Sequence, residues 1–440
     1  MSILITNATV LPCTEDMPVI DRGWVHVEGD IIKAVGGGDA HEIAGAEIVD
    51  AGGDLVMPGM VNPHCHMAMT LFRGLGEDVD DRLYRYILPL ERKFVRPEAV
   101  RAGTALAALE LIEGGVTSVA DMYYFEAEVA RIVDQSGIRG VLGQTIADFD
   151  PPDHKSVDEG FALTEALVAE FSGHGRVIPS IAPHAPYSTG MATMERIARW
   201  ADDHPDVPVQ MHLAESDQEM EWAEKTHGMR PVEVVEKAGL LRKGLICAHC
   251  LHVNAPDIER MAHAQVCVAH NARSNGKAGR GIAPVEAMRK AGIPVGISTD
   301  GAMSGNTLDL FSQFAPVSMF AKLLGHSRKP MASVDVVRMA TRDGARVLGL
   351  DAKVGSLEPG KQADLIRVSL ASPRQQPIYD IYSTLVFATM PTDVRDVMVG
   401  GDWLMRGREV LSLERKKALR DALQVAQSFK AEMARIDAAG

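Results

Sequence analysis

Two histidines, His64 and His66, close the apolar run Met57-Pro58-Gly59-Met60-Val61-Asn62-Pro63-His64-Cys65-His66. Side chains at i and i+2 of a β-strand point to the same face. Two imidazoles on one face can grip a single metal ion. Later apolar runs end in further polar groups: Met211-His212-Leu213-Ala214-Glu215, Ala248-His249-Cys250 and Ser298-Thr299-Asp300-Gly301. Neutral histidine is the commonest imidazole ligand, and aspartate adds a charged oxygen. His64, His66, His212 and Asp300 are therefore the expected ligands of one divalent ion, with water at an open position. Zinc is the first choice and ferrous iron the second. A two-metal site bridged by a modified lysine would need a lysine in the fourth strand. Val177-Ile178-Pro179-Ser180-Ile181-Ala182 has none.

A metal lowers the pKa of bound water towards ~7. Asp300 can take that water's proton, and His249 can orient the resulting hydroxide. Glu215, three residues past His212, can carry a proton to a ring nitrogen of a heterocycle attacked at the neighbouring carbon. Each residue also has a plainer reading. A lone His212 or His249 is a core histidine, and Asp300-Gly301 is a turn. Glu215 is a solvated loop acid, with Asp217 and Glu219 following it. The order of the whole series favours the site.

Eight strands must present these residues: Met60–His66, Val116–Met122, Arg139–Ala147, Val177–Ala182, Val209–Leu213, Gly244–Ala248, Gln265–Val268 and Pro294–Ser298. Helical stretches alternate with them, among them 98–113, 158–171, 191–203, 231–238, 257–264 and 284–291. The fold class expected is α/β, a (β/α)8 TIM-like barrel over 57–350, whose strand ends share one site. A doubly wound sheet would instead carry a Gly-rich loop after its first strand. Residues 1–56 and 351–440 read as a small β-sandwich domain built from both chain termini, plus a C-terminal helix over 413–439.

The chain has 440 residues, 46% hydrophobic and 24% charged, with net charge -14. That acidity argues against nucleic acid or an anionic membrane as partner. The signature of nucleic-acid cytidine deaminases is also absent. No apolar run is long enough to span a bilayer, so the cytoplasm is the expected compartment. Cys13, Cys65, Cys247, Cys250 and Cys267 are odd in number and scattered, which speaks against a disulfide framework. The pair Cys247 and Cys250 reads as small core residues.

These motifs, with Gly114-Gly115-Val116-Thr117 and Gly355-Ser356-Leu357-Glu358-Pro359-Gly360-Lys361-Gln362-Ala363-Asp364-Leu365, resemble the amidohydrolase superfamily in its branch of mononuclear aminohydrolases and chlorohydrolases. Within it the chain is similar to the 5-methylthioadenosine/S-adenosylhomocysteine deaminase group. The stretches 69–78, 88–91, 183–187, 270–275 and 281–285 carry that similarity. The resemblance implies that Glu91 binds ribose hydroxyls, that His184 contacts substrate beside the metal, and that the chain forms a homo-oligomer. It places Gln144 where the group has one substrate-binding arginine. Lys155 is the only cation near the position of a second. Arginine grips a carboxylate as a planar fork, which neither Gln nor Lys reproduces. The function expected is hydrolytic deamination of an aminated N-heterocycle, adenosine-type thioethers first. Guanine or pterin deamination and s-triazine chlorohydrolase or aminohydrolase chemistry are the alternatives. A non-catalytic scaffold is the remote one.

Overall fold

The computed structural model describes residues 1–439, a mixed α/β chain of seventeen strands. The strands are β1 Ser2–Val10, β2 Ile20–Glu28, β3 Ile31–Gly37, β4 Glu47–Asp50, β5 Leu55–Pro58, β6 Met60–Cys65, β7 Val116–Tyr123, β8 Arg139–Ile146 and β9 Val177–Pro183. They continue as β10 Gln210–Leu213, β11 Ile246–His249, β12 Cys267–His270, β13 Val295–Ile297, β14 Leu365–Val368, β15 Val394–Val399, β16 Asp402–Arg406 and β17 Glu409–Val410.

Two four-stranded parallel sheets, β6-β7-β8-β9 and β10-β11-β12-β13, hold all eight of the strands expected between 60 and 298. Their residues are almost wholly buried, as parallel strands covered on both faces must be. The amide of Ile181 on β9 bonds the carbonyl of Pro208 at 3.0 Å, and Ile181 bridges Val209 in parallel sense. On the other flank the Asp300 amide, past β13, bonds the His64 carbonyl on β6 at 3.2 Å.

Helices fill the crossovers close to where the sequence indicates. Pro97–Glu113 opens on its proline, where the missing N–H costs nothing. The Ser156 hydroxyl caps Val157–Phe171 by accepting from the Glu159 amide. The stretch 333–347 would read as one helix but forms two, Ser333–Ala340 and Arg342–Val347. Thr341 breaks it at φ -124 and ψ -94, with its hydroxyl donating to the Val337 carbonyl at 2.8 Å.

The remaining strands form one nine-stranded sheet from both chain ends, in the order β17-β16-β15-β14-β5-β1-β2-β3 with β4 on β1. Ile3, Ile5, Val25, Val27 and Met398 fill its core. β14 runs antiparallel to β5 with Leu365 opposite Pro58. β5 leads through Gly59 straight into β6. A Cβ on Gly59 would lie 2.1 Å from a Thr117 side-chain atom, so only glycine lets β6 lie this close to the start of β7. Asp364 fastens the two parts. Its carboxylate takes two hydrogen bonds from the Arg139 guanidinium (3.0 and 3.1 Å) and one from the Gly400 amide (2.8 Å).

The C-terminal helix Arg415–Ala439 packs on Pro97–Glu113 and on the short helix Leu88–Phe94. Phe429, 1% exposed, meets Phe72 at 4.7 Å and Phe94 at 5.6 Å between ring centroids.

Candidate metal centre and active site

The C-terminal ends of β6, β10, β11 and β13 bring His64, His66, His212, His249 and Asp300 together. Parallel pairing in register does this: His212 lies opposite Ala248, and Leu213 opposite His249. The ligand atoms of His64, His66 and His212 lie within 4.8 Å of one another, as do those of His64, His249 and Asp300.

The orientation of each ring is set from behind. His66 Nδ1 donates to the Met122 carbonyl (2.7 Å), and His212 Nδ1 donates to the His184 carbonyl (2.7 Å). Each Nε2 is then a bare lone pair. Yet the two Nε2 atoms face each other at 3.2 Å, where neither has a proton to share. His64 Nε2 is buried with no hydrogen-bond partner. Asp300 Oδ1 lies 3.5 Å from His66 Nε2 and 3.9 Å from His64 Nε2. A shared cation reconciles these contacts. A tetrahedral zinc with bonds of about 2.1 Å has donor-to-donor edges of roughly 3.4 Å. Three imidazoles and one carboxylate thus fit a divalent ion.

Burial first, and then the crowding of neighbouring imidazoles, holds His64 and His212 well below the ordinary imidazole range. They stay neutral and ready to ligate. Asp300 is anchored as well: Oδ2 accepts from the Ser274 hydroxyl (2.6 Å) and Oδ1 from the Gly301 amide (2.6 Å).

Glu215 leaves the β10 end and places Oε1 3.6 Å from His249 Nε2. His249 Nδ1 donates to Asn275 Oδ1 at 2.8 Å, which fixes the tautomer. Burial pushes the Glu215 carboxyl up, but His249, Arg280, His212 and His184 outweigh it and bring it down to about 2. Arg280 forms an ion pair with Glu215 Oε1. Four residues at these strand ends take left-handed backbone: Ala214 (φ 51), His249 (φ 74), Cys250 (φ 50) and Asp300 (φ 61). Strain of about 1–3 kcal/mol at each is sustained only where surrounding contacts over-determine it.

The residues expected at the substrate lie around this centre in different states. His184, at the end of β9, sets its ring 4.9 Å from that of His212 at a tilt of 51°, and its Nδ1 meets the Ser188 hydroxyl at 2.6 Å. Burial brings it down to about 4. Glu91 is buried and accepts from the Tyr123 hydroxyl at 2.7 Å. Burial pushes its carboxyl up to about 7. Gln144 is committed to the protein: Nε2 donates to Asp153 (2.9 Å) and to the Thr145 carbonyl (3.2 Å). Lys155 is exposed and paired with Asp150 at 2.9 Å.

Glu219, given no role from the sequence, is 1% exposed and accepts from the amides of Ala214 (2.8 Å) and Glu215 (2.9 Å). It holds the turn that aims Glu215. The signal was there in Ser216-Asp217-Gln218-Glu219, a capping-box spacing. Ser216 does cap that helix, accepting from the Glu219 amide at 3.3 Å. Ser274, Asn275 and Tyr123 were given no role from sequence, because each acts on a neighbour far along the chain.

The sequence profile of the Amidohydrolase family matches residues 55–404. A protein named 5-methylthioadenosine/S-adenosylhomocysteine deaminase 1 from Syntrophus aciditrophicus (strain SB) is 36% identical over 431 residues, 97% of each chain. The solved structure of an adenosine deaminase from Xanthomonas campestris with bound zinc matches at TM-score 0.95 and 33% identity, over 98% of both chains. That of atrazine chlorohydrolase from Arthrobacter aurescens TC1, complexed with zinc, matches at TM-score 0.90 and 21% identity, over 96% of this chain and 100% of that one. At that identity the likeness speaks for the fold alone.

Proposed function

The chain belongs to the amidohydrolase family, and from that premise we propose that it is a metal-dependent hydrolase deaminating an aminated N-heterocycle, adenosine-type thioethers first. The observation that carries the reading is the meeting of the His66 and His212 lone pairs beside Asp300, with Glu215 and His249 at their edge. His64, His66, His212 and Asp300 would hold one divalent ion, zinc before iron. When bound, that ion supplies Lewis acidity that brings the pKa of water towards ~7.

The chain's own residues do the rest. His249 presents Nε2 to the attacking water and orients it. Asp300 accepts one of its protons. Glu215, ionised at rest, takes the other water proton and passes it to the ring nitrogen, which makes the neighbouring carbon electrophilic. The water oxygen stays on that carbon. One water proton ends on the ring nitrogen, and the other leaves on the amino group as ammonia. Glu91 is the ribose-binding residue and His184 contacts the heterocycle. With Gln144 committed to Asp153 and Lys155 to Asp150, a neutral thioether suits the site better than one ending in an amino acid.

The bonds Ile181–Pro208 and Asp300–His64 support closure of the two parallel sheets into one eight-stranded barrel. The nine-stranded sheet is then a second domain, drawn from residues 1–56 and 351–440. Its β5 crosses the 56/57 boundary. Five free, buried cysteines suit a reducing compartment, the cytoplasm.

The deciding experiment is ammonia release by zinc-loaded protein across 5-methylthioadenosine, S-adenosylhomocysteine, adenosine, guanine, pterins, cytosine and amino-triazines. Turnover of methylthioadenosine well above S-adenosylhomocysteine is expected. Silence on every nucleoside, with turnover of a free base or triazine, overturns the nucleoside reading.

A further inference from the structure

The carboxylate that must meet the ring nitrogen already has a partner. Arg280 pairs with Glu215 Oε1, the same oxygen that lies 3.6 Å from His249 Nε2. Nothing in the deaminase chemistry uses this arginine. Its guanidinium sits where a heterocycle would have to bring its nitrogen.

The backbone on either side of Arg280 is open to solvent. It lies between Gly279 (φ 66) and Gly281 (φ 106), and a Cβ on either would meet nothing within 4 Å. Left-handed φ favours glycine at both positions. Residues 276–281 are all exposed. Arg280 itself is held by the ion pair to Glu215 and by its amide on the Asn275 carbonyl at 3.0 Å, while the Ala278 amide bonds the Ser274 carbonyl at 3.0 Å. Asn275 also fixes His249. The neighbouring cation Lys277 is engaged elsewhere, with Glu77 at 2.6 Å, so it does not compete for Glu215.

We propose that Arg280 is a positioning residue that latches the ionised Glu215 before substrate binds and yields it to the ring nitrogen of the incoming heterocycle as that carboxylate takes up the water proton it delivers. It rests on the reading of Glu215 as the group that meets the ring. The pair is partly exposed, with side-chain exposures of 40% and 19%, so its strength is modest and a ligand can replace it. Substrate binding then exchanges one partner of Glu215 for another and frees the glycine-flanked loop.

The test uses zinc-loaded full-length protein with 5′-methylthioinosine, the deaminated nucleoside, whose ring N–H seeks the Glu215 carboxylate. In Arg280→Ala its affinity by calorimetry is expected to rise about tenfold, and KM for methylthioadenosine to fall with kcat held within about threefold. Arg280→Lys should restore part of the difference. Amide exchange over Gly279–Gly281 should quicken both in Glu215→Gln and on adding the nucleoside to wild type.

Unchanged exchange in both conditions overturns the latch. So does a hundredfold loss of kcat in Arg280→Ala at constant KM, which would make Arg280 a partner of Glu215 during chemistry. Failure of wild type to bind either nucleoside strikes the substrate reading instead. The Glu215→Gln exchange experiment needs no ligand and still decides the latch.

Discussion

His64 buries a nitrogen that no protein group meets, and Asp300 completes a set of donors facing it. Such an arrangement is costly unless a cation fills it. His64→Ala is therefore expected to lose stoichiometric zinc, measured by atomic absorption after dialysis, and to lose ammonia release with it. Glu215→Gln is expected to behave differently. It should keep its zinc while kcat falls about 10²–10⁴-fold, the range for a positioned acid or base. Zinc loss in Glu215→Gln would move that residue from proton transfer to metal holding. The sequence marked these candidate ligands because each ends a strand in a recognisable motif. It did not reveal Glu219, since the same spacing that marks a helix cap here turns its carboxylate back onto Ala214 and Glu215.

At the scale of elements, the end of β7 and the start of the next helix carry a pair of buried acids. Asp121 accepts from the Met67 amide, next to His66, and faces Glu126 at the start of the helix Glu126–Ser136. Burial pushes Asp121 up to about 7 and Glu126 well above the ordinary carboxyl range. The folded chain thus keeps protons that the unfolded chain releases from about pH 4 upward. Stability from this pair is full below that pH and is lost as pH rises through about 7. The urea midpoint of wild type should fall between pH 5 and pH 8, and that fall should shrink in Glu126→Gln. An equal fall in both proteins would assign it to other groups. Periodicity could not show this pair. Both residues lie at strand and helix ends, where acids are ordinarily solvated. The strands themselves were legible from apolar runs bounded by glycine and charge. The helix Glu126–Ser136 went unread, although its flanking strands did not.

For the whole molecule, the long-range joins were the least legible part. β14 lies beside β5, and Arg139 reaches Asp364, across hundreds of residues. The alternation of strand and helix makes the repeated part readable. That both chain ends contribute to one small β domain is expected from the sequence, but which strands pair there depends on packing that no local pattern encodes. The C-terminal helix is the clearest case. Its charged composition marks a surface helix, but Phe429 is wedged between Phe72 and Phe94. Phe429→Ala should cost about 3–5 kcal/mol if the site cannot collapse, read as a shift in the urea midpoint. Because Phe94 ends the short helix that carries Glu91, KM should rise more than kcat falls. A variant with altered kcat and normal KM would separate that helix from the pocket.

This seating also orders events during synthesis. The candidate metal ligands have all left the ribosome once Asp300 has, but the wall bearing Glu91 still lacks its support. That support is the last 25-residue helix of the chain, with Lys93 paired to Glu432 at 2.6 Å and the Tyr86 hydroxyl donating to Asp437 at 2.5 Å. A nascent chain can gather the groups proposed to bind metal before it can shape the wall beside them, so selectivity is acquired later than metal binding.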